Sequence, residues 1–274
     1  MLNLFILTTA VIRPDIHKKG IYNFINLINN SNLIKSKYNK IYFIINLDII
    51  ENHKKDKDDN IKLLKKNINN IININIFENN TPCFSKAFEN VFYECNKIIK
   101  KEDNNIFMWL EDDWFISEEN FKKYLENEII KFNDNNYQFL MALNWKPSGP
   151  PFFFKSLFFE KVIYYINNKH KLDTNKYDPE IILQNIYSKI ENEEEEENYK
   201  RKQIGIRKKK NLNNENNLNN LNNENNENNE NNKYPVLFED SGKNWAKNNN
   251  MIKWDKNRIK TEKSHNRLLY KNIK

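Results

Sequence analysis

The segment FMWLEDDWFI, residues 107–116, frames the reading of this chain. Apolar residues run straight into Glu111, Asp112 and Asp113, and apolar residues resume at Trp114. Adjacent carboxylates repel one another and resist burial unless a cation or a set of hydrogen-bond donors compensates them. A short apolar run at 106–110 reads as a buried strand, so the acids fall at its carboxyl end. A structural explanation stands beside this one. The acids also suit a turn ahead of a helix, with Ser117 as N-cap and Glu118 and Glu119 in the first turn.

The flanking sequence supplies the architecture. Residues 2–7 (LNLFIL) are a continuous apolar run of strand length, as expected of a strand covered on both faces. Residues 8–15 read as the loop after it. Ile21, Phe24, Ile25 and Ile28 recur at helical spacing within 20–29. Further strands are expected at 40–47, ending at Asp48, at 71–77 and at 138–143, with a short one at 152–154. Helices are expected at 61–69, 85–100, 118–131, 156–167 and 179–189. In 85–100 the stripe Ala87, Val91, Phe92, Cys95, Ile98 and Ile99 is the clearest of these. Strands alternating with helices predict an α/β fold, a mostly parallel, Rossmann-like sheet flanked by helices. Ligands of such sheets bind beyond the carboxyl ends of the strands. Thr8, Thr9, Asp48 and the three acids all fall at such ends.

With 274 residues, 39 % of them hydrophobic and 13 % aromatic, the chain suffices for one sizeable domain or two small ones. Its Asn, Ile and Lys bias suits an A+T-rich coding sequence. The net charge of +7 is spread along the chain and interleaved with acids, which favours a solvated surface over a nucleic-acid or membrane face. Cys83 and Cys95 form neither a disulfide framework nor a zinc pattern, so a reducing, cytoplasmic setting is expected. The apolar start MLNLFILTTAVI lacks a positive leader region and runs into Arg13, Pro14 and Asp15, the pattern of a first strand. No run approaches the roughly 18–20 apolar residues of a membrane span.

Composition breaks after residue 190. The segment 191–233 holds ENEEEEEN, the basic patch RKQIGIRKKK and an Asn/Glu repeat with almost nothing to bury. It reads as a disordered low-complexity insertion. Aromatic and apolar residues return from Tyr234. The expected organisation is a domain over 1–190, the insertion over 191–233, and a segment over 234–274 that completes the domain.

A resemblance emerges from three stretches taken in order. A strand ending in LEDDW after a βαβαβ opening resembles the metal-binding signature of GT-A fold glycosyltransferases, whose usual form is Asp-X-Asp. The opening LTTAVIRPD resembles the start of a glycosyltransferase group related to family two, found in bacteria and large DNA viruses. FEDSGKNWAKNNNMIKW, residues 238–254, resembles that group's late motif F-x-D-x-G-x-x-W followed by a Lys-Trp pair. The family triplet begins with Asp, and this one with Glu111.

The likeness implies a GT-A-like fold, a nucleotide-sugar donor (a UDP-sugar favoured), Mn²⁺ or Mg²⁺, and transfer to a glycan or protein-linked acceptor hydroxyl, with inversion. A cytoplasmic location would be the host's if the gene is viral. It implies Asp113 as direct metal ligand with Asp112 a second metal residue, and Glu111 or Asp112 nearer the ribose or a metal-bound water. Thr8, Thr9 and Arg13 would lie by the nucleotide, and Asp48 would accept a hydrogen bond from base or ribose. Each has a plainer role open to it: a surface ion pair for Arg13, a loop cap for Asp48. An acceptor base is expected at Glu180, with Asp240 the competitor. In KYDPEII, Asp178, Pro179 and Glu180 are equally good helix-capping chemistry. The 144–151 loop, with Trp145, suits an acceptor wall, and Lys243 and Trp245 suit a cover for the diphosphate. His17, His53, His170 and His265 show no ligand spacing.

Two other classes share some of these features. A nucleotidyltransferase or another metal-dependent phosphoryl-transfer enzyme also sets paired acids on a diphosphate. A basic nucleic-acid-binding protein would use RKQIGIRKKK. The absence of GxxxxGK[ST] and GxGxxG excludes the usual P-loop and dinucleotide patterns.

Overall fold

The computed structural model describes residues 1–12, 19–49, 55–66, 68–79, 84–100, 103–134, 137–141, 151–168, 179–193, 200–203 and 238–240. Strand β1 (Leu2–Val11) is followed by helices α1 (Ile21–Asn30) and α2 (Asn32–Lys37). Strand β2 (Lys40–Asp48), helix α3 (Lys57–Leu64), strand β3 (Ile72–Asn79), helix α4 (Phe84–Ile98) and strand β4 (Asn104–Trp109) come next. The acidic turn leads into a two-residue strand, β5 (Trp114–Phe115). Helix α5 comprises Glu118–Asn120, a π-helical turn Phe121–Leu125, and Glu126–Lys131. The remaining elements are β6 (Tyr137–Met141), β7 (Phe152–Lys155), α6 (Ser156–Asn167), α7 (Pro179–Glu193), β8 (Lys200–Gln203) and β9 (Glu239–Asp240).

Seven strands form one sheet in the order β3-β2-β1-β4-β7-β6-β8, and β5 pairs with β9 separately. The first four are parallel, β7 is antiparallel to both neighbours, and β8 runs parallel to β6. This is the expected mostly parallel α/β sheet flanked by helices. Alternation along β1 divides the core. Leu4, Ile6 and Ala10 pack with Phe24 of α1, Ile34 of α2 and Phe121 of α5. Phe5 and Leu7 pack with Phe92 of α4, Phe159 of α6 and Tyr187 of α7. Both faces are covered, so the central strands read as continuous apolar runs rather than alternating ones. Burial pushes the thiol pKa of Cys95 up, leaving it a neutral core residue.

Several boundaries differ from the sequence reading, each for a local reason. β1 continues through Thr8 and Thr9 to Val11, where a loop is expected, because β2 pairs with it as far as Val11 opposite Asp48. α3 starts at Lys57, with Asp58 and Asp59 favourably placed in its first turn, and stops at Leu64. Asn69 then accepts from the N–H groups of Ile71 and Ile72, which launches β3. The short α2 has no clear periodicity, but the Ser31 hydroxyl caps it by accepting from Ile34 N–H. β7 runs antiparallel between β4 and β6.

Within the segment expected to be a disordered insertion, the end of α7 and strand β8 are described, and β8 lies at the sheet edge. The rest of that segment, including the Asn/Glu repeat, lies outside the described residues. The late segment returns to the domain at Phe238, which is buried among the α1-side core residues and sits 6.4 Å from Phe24, ring centre to ring centre. Among the described residues no helix is long and apolar enough to cross a membrane.

Phe238→Ala should lower unfolding free energy by about 3–5 kcal/mol in urea titrations, the usual cost of emptying a core aromatic site. Tyr164→Ala, on an exposed position of α6, should stay within about 0.5 kcal/mol of wild type.

Candidate active site at the carboxyl edge of the sheet

β1 lies between β2 and β4, but its two partners stop at different points. The β4 ladder ends at Leu7 opposite Trp109, whereas the β2 ladder runs to Val11 opposite Asp48. The acidic turn fills the gap on the β4 side. Leu110 N–H donates to the Leu7 carbonyl at 3.0 Å, and Asp112 N–H to the Thr9 carbonyl at 3.4 Å. The next donor, Val11 N–H, is taken by the Asp112 carboxylate at 3.1 Å. The side chain of Asp112 thus acts as one more rung of the sheet, and it is only 2 % exposed. Its carbonyl also accepts from Ile21 N–H, at the start of α1. Trp114 N–H closes the turn onto the Glu111 carbonyl at 3.4 Å.

The three acids therefore differ. Asp112 faces inward and is engaged with backbone, while Glu111 and Asp113 on either side of it are half-exposed. Carboxylate oxygens are hard donors, the kind Mg²⁺ and Mn²⁺ prefer. Among the described residues no group of three His, Cys, Asp or Glu side chains is placed to hold a metal ion. The turn suits a cation that takes one or two protein carboxylates and completes its shell from phosphate and water.

A second polar cluster lies on the α4 side of the same edge. Asp48 is completely enclosed, and one of its oxygens accepts from the Asn46 amide at 2.9 Å and the Asn79 amide at 3.0 Å. The Asn46 oxygen in turn accepts from Asn90 of α4 at 3.1 Å. Direction matters in this chain of amides. Asn90 holds the oxygen of Asn46, which leaves the Asn46 NH₂ facing the carboxylate. Thr9 stands in register with Asn46 on β1. Thr8 and Thr9 are both enclosed, and neither hydroxyl has a hydrogen-bond partner among the described residues. The indole N–H of Trp109 and the hydroxyl of Ser85 share that condition. Orphaned buried polar atoms call for a water or a ligand atom. They gather at the edge where the sequence reading put the nucleotide.

The late segment reaches this edge through backbone pairing. Asp240 stands opposite Trp114 and Glu239 opposite Phe115, which brings the Asp240 backbone next to the acidic turn. Glu180 lies in the first turn of α7, whose buried residues Ile182, Leu183, Ile186 and Tyr187 pack on the other side of the sheet. Arg13, Lys243, Trp245, Trp145 with its loop over 142–150, and the four histidines lie outside the described residues. The sequence reading placed Thr8, Thr9, Asp48, Glu111, Asp112 and Asp113 at one edge, and there they sit. It missed Asn23, Asn46, Asn79 and Asn90, which an Asn-rich composition conceals.

No protein-family model matches the chain. No curated protein matches it either. Solved structures do. One is a 4-diphosphocytidyl-2C-methyl-D-erythritol synthase from Anaerococcus prevotii, at 13 % identity and TM-score 0.39, covering 74 % of this chain and 86 % of that one. Another is a glycosyltransferase involved in glycosylation of the major capsid of PBCV-1, at 12 % identity and TM-score 0.37, covering 73 % of this chain and 81 % of that one. These two neighbours carry different activities, and overlaps this loose do not choose between them.

Asp48→Ala would remove the enclosed carboxylate to which the Asn46 and Asn79 amides donate. The loss should cost about 1–3 kcal/mol, and Asn90→Ala about 1 kcal/mol, both read from urea unfolding.

Proposed function

We propose that the protein is a metal-dependent glycosyltransferase that moves a sugar from a nucleotide-sugar donor, a UDP-sugar by preference, to an acceptor hydroxyl with inversion. The observation that supports this reading is the division of labour in the acidic turn. Glu111 and Asp113 stand half-exposed at the carboxyl edge while Asp112 is fastened inward. Asp113 is the direct ligand for Mn²⁺ or Mg²⁺ in this reading, and Glu111 lies nearer the ribose or a metal-bound water. Asp112, expected from the sequence among the ligands, is better employed on Val11. When bound, the dication neutralises the diphosphate that leaves the sugar.

The chain's own residues do the rest. Arg13 pairs with a phosphate oxygen. Thr8, Thr9 and Asp48 frame the nucleotide side of the edge. A carboxylate oxygen then removes the proton of the acceptor hydroxyl as that oxygen attacks the anomeric carbon and the C–O bond to the diphosphate breaks. Asp240, on a strand paired with Trp114, and Glu180, at the head of α7, are the two candidates for that base. The same acids would also serve a nucleotidyltransferase, which differs in releasing pyrophosphate from a nucleoside triphosphate.

A panel of nucleotide sugars with Mn²⁺ or Mg²⁺, compared with nucleoside triphosphates, tests the reading. We expect metal-dependent binding and turnover of a UDP-sugar, lost in Asp113→Ala. Equal turnover by both proteins would remove Asp113 from the chemistry, and pyrophosphate release would favour the nucleotidyltransferase. For the base, Glu180→Gln and Asp240→Asn should separate. The true base loses turnover on the order of 10²-fold or more with donor affinity kept, while the other variant stays near wild type.

A further inference from the structure

The acidic turn is fixed at both of its ends by groups outside it. At the front, Asp112 is tied to β1 through Thr9 and Val11, and to α1 through Ile21 N–H on its carbonyl at 3.3 Å. At the rear, the Asn23 side chain of α1 donates to the carbonyl of Ile116 at 2.8 Å. Ile116 is itself buried. α1 is a firm anchor for both ties, since Ile21, Phe24, Ile25, Leu27 and Ile28 are buried. Phe24 meets Phe121 edge-on at 6.1 Å and lies against Phe238. One helix thus holds the start of the turn, its exit and the returning late segment.

We propose that Asp112 and Asn23 are positioning residues, which hold the turn so that Glu111 and Asp113 face the edge, and that neither touches the metal or the donor. The argument rests on the proposed metal site. Like charges on neighbouring residues repel, so three adjacent carboxylates left to themselves would spread in solvent. Engaging the middle one with a backbone N–H and clamping the exit by an amide removes that freedom. The outer pair is set before any cation arrives, and binding then costs less ordering. Towards Val11 the Asp112 oxygen accepts a hydrogen bond. An asparagine oxygen can accept the same bond, more weakly than a carboxylate does, whereas a metal ligand in this role would lose its charge.

That difference is the test. Affinity of the full chain for Mn²⁺ with UDP is measured by calorimetry, well below each variant's melting temperature, for wild type, Asp112→Asn, Asp112→Ala, Asn23→Ala and Asp113→Asn. Asp112→Asn should bind within about threefold of wild type, while Asp112→Ala and Asn23→Ala weaken binding by about 10–100-fold, the usual loss when a ligand's support is removed. Asp113→Asn should abolish binding. Asp112→Asn behaving like Asp113→Asn would make Asp112 a ligand and overturn the proposal. Lowered stability with unchanged affinity in Asp112→Ala and Asn23→Ala would reduce both residues to structural roles. Should wild type bind no Mn²⁺ with UDP, the metal reading fails, and amide hydrogen exchange still decides the positioning. Asn23→Ala and Asp112→Ala should speed exchange of Val11 and Trp114, and Asp112→Asn should not. Unaltered exchange in all three would refute the clamp.

Discussion

One hydrogen bond organises the candidate site: the Asp112 carboxylate on the backbone N–H of Val11. β1 lies between β2 and β4, and it outruns β4 by four residues, from Leu7 to Val11. A strand edge cannot end inside a protein with its N–H groups unmet. The chain after β4 supplies the missing partners, first from its backbone and then from a side chain. A charged acceptor makes a stronger bond than a neutral one, which offsets part of the cost of enclosing the acid. The residue that finishes the sheet is thus also the enclosed one of the three acids.

The other half of the edge is built on a different economy. Around Asp48, amide groups from β2 and β3 converge on one carboxylate, and α4 joins through Asn90, which donates to the oxygen of Asn46. Enclosed polar networks of this kind are costly when incomplete and specific when complete. Here the network fixes how α4 sits against the ends of β2 and β3. The acidic turn is held in the same manner from the opposite layer by α1. A rigid frame from both layers is what precise placement of ligand-facing groups requires.

Much of this was legible from local pattern. The run LNLFIL marked β1, the stripe through Val91 and Cys95 marked α4, and 156–167 was a helix with those very bounds. Features that depend on distant partners were not legible. Thr8 to Val11 looks like a loop until β2 and Asp112 are brought beside it. β5 and β9 have two residues each, too few for any period, and their pairing joins positions more than a hundred apart. At the site, Glu111, Asp112 and Asp113 look interchangeable in sequence. Only the end point of the β4 ladder tells which of them turns inward. The asparagines that do the holding were hidden by their own abundance.

Phe238 has a consequence for biosynthesis. It packs in the α1-side core, yet it leaves the ribosome after the other buried side chains of the described residues and after the whole Asn/Glu repeat. Until then Phe24 lacks one of its neighbours and β5 lacks its mate. A nascent chain paused within the repeat therefore carries an unfinished core, open to chaperones and proteases. Translation speed through that polar tract would set how long the exposure lasts.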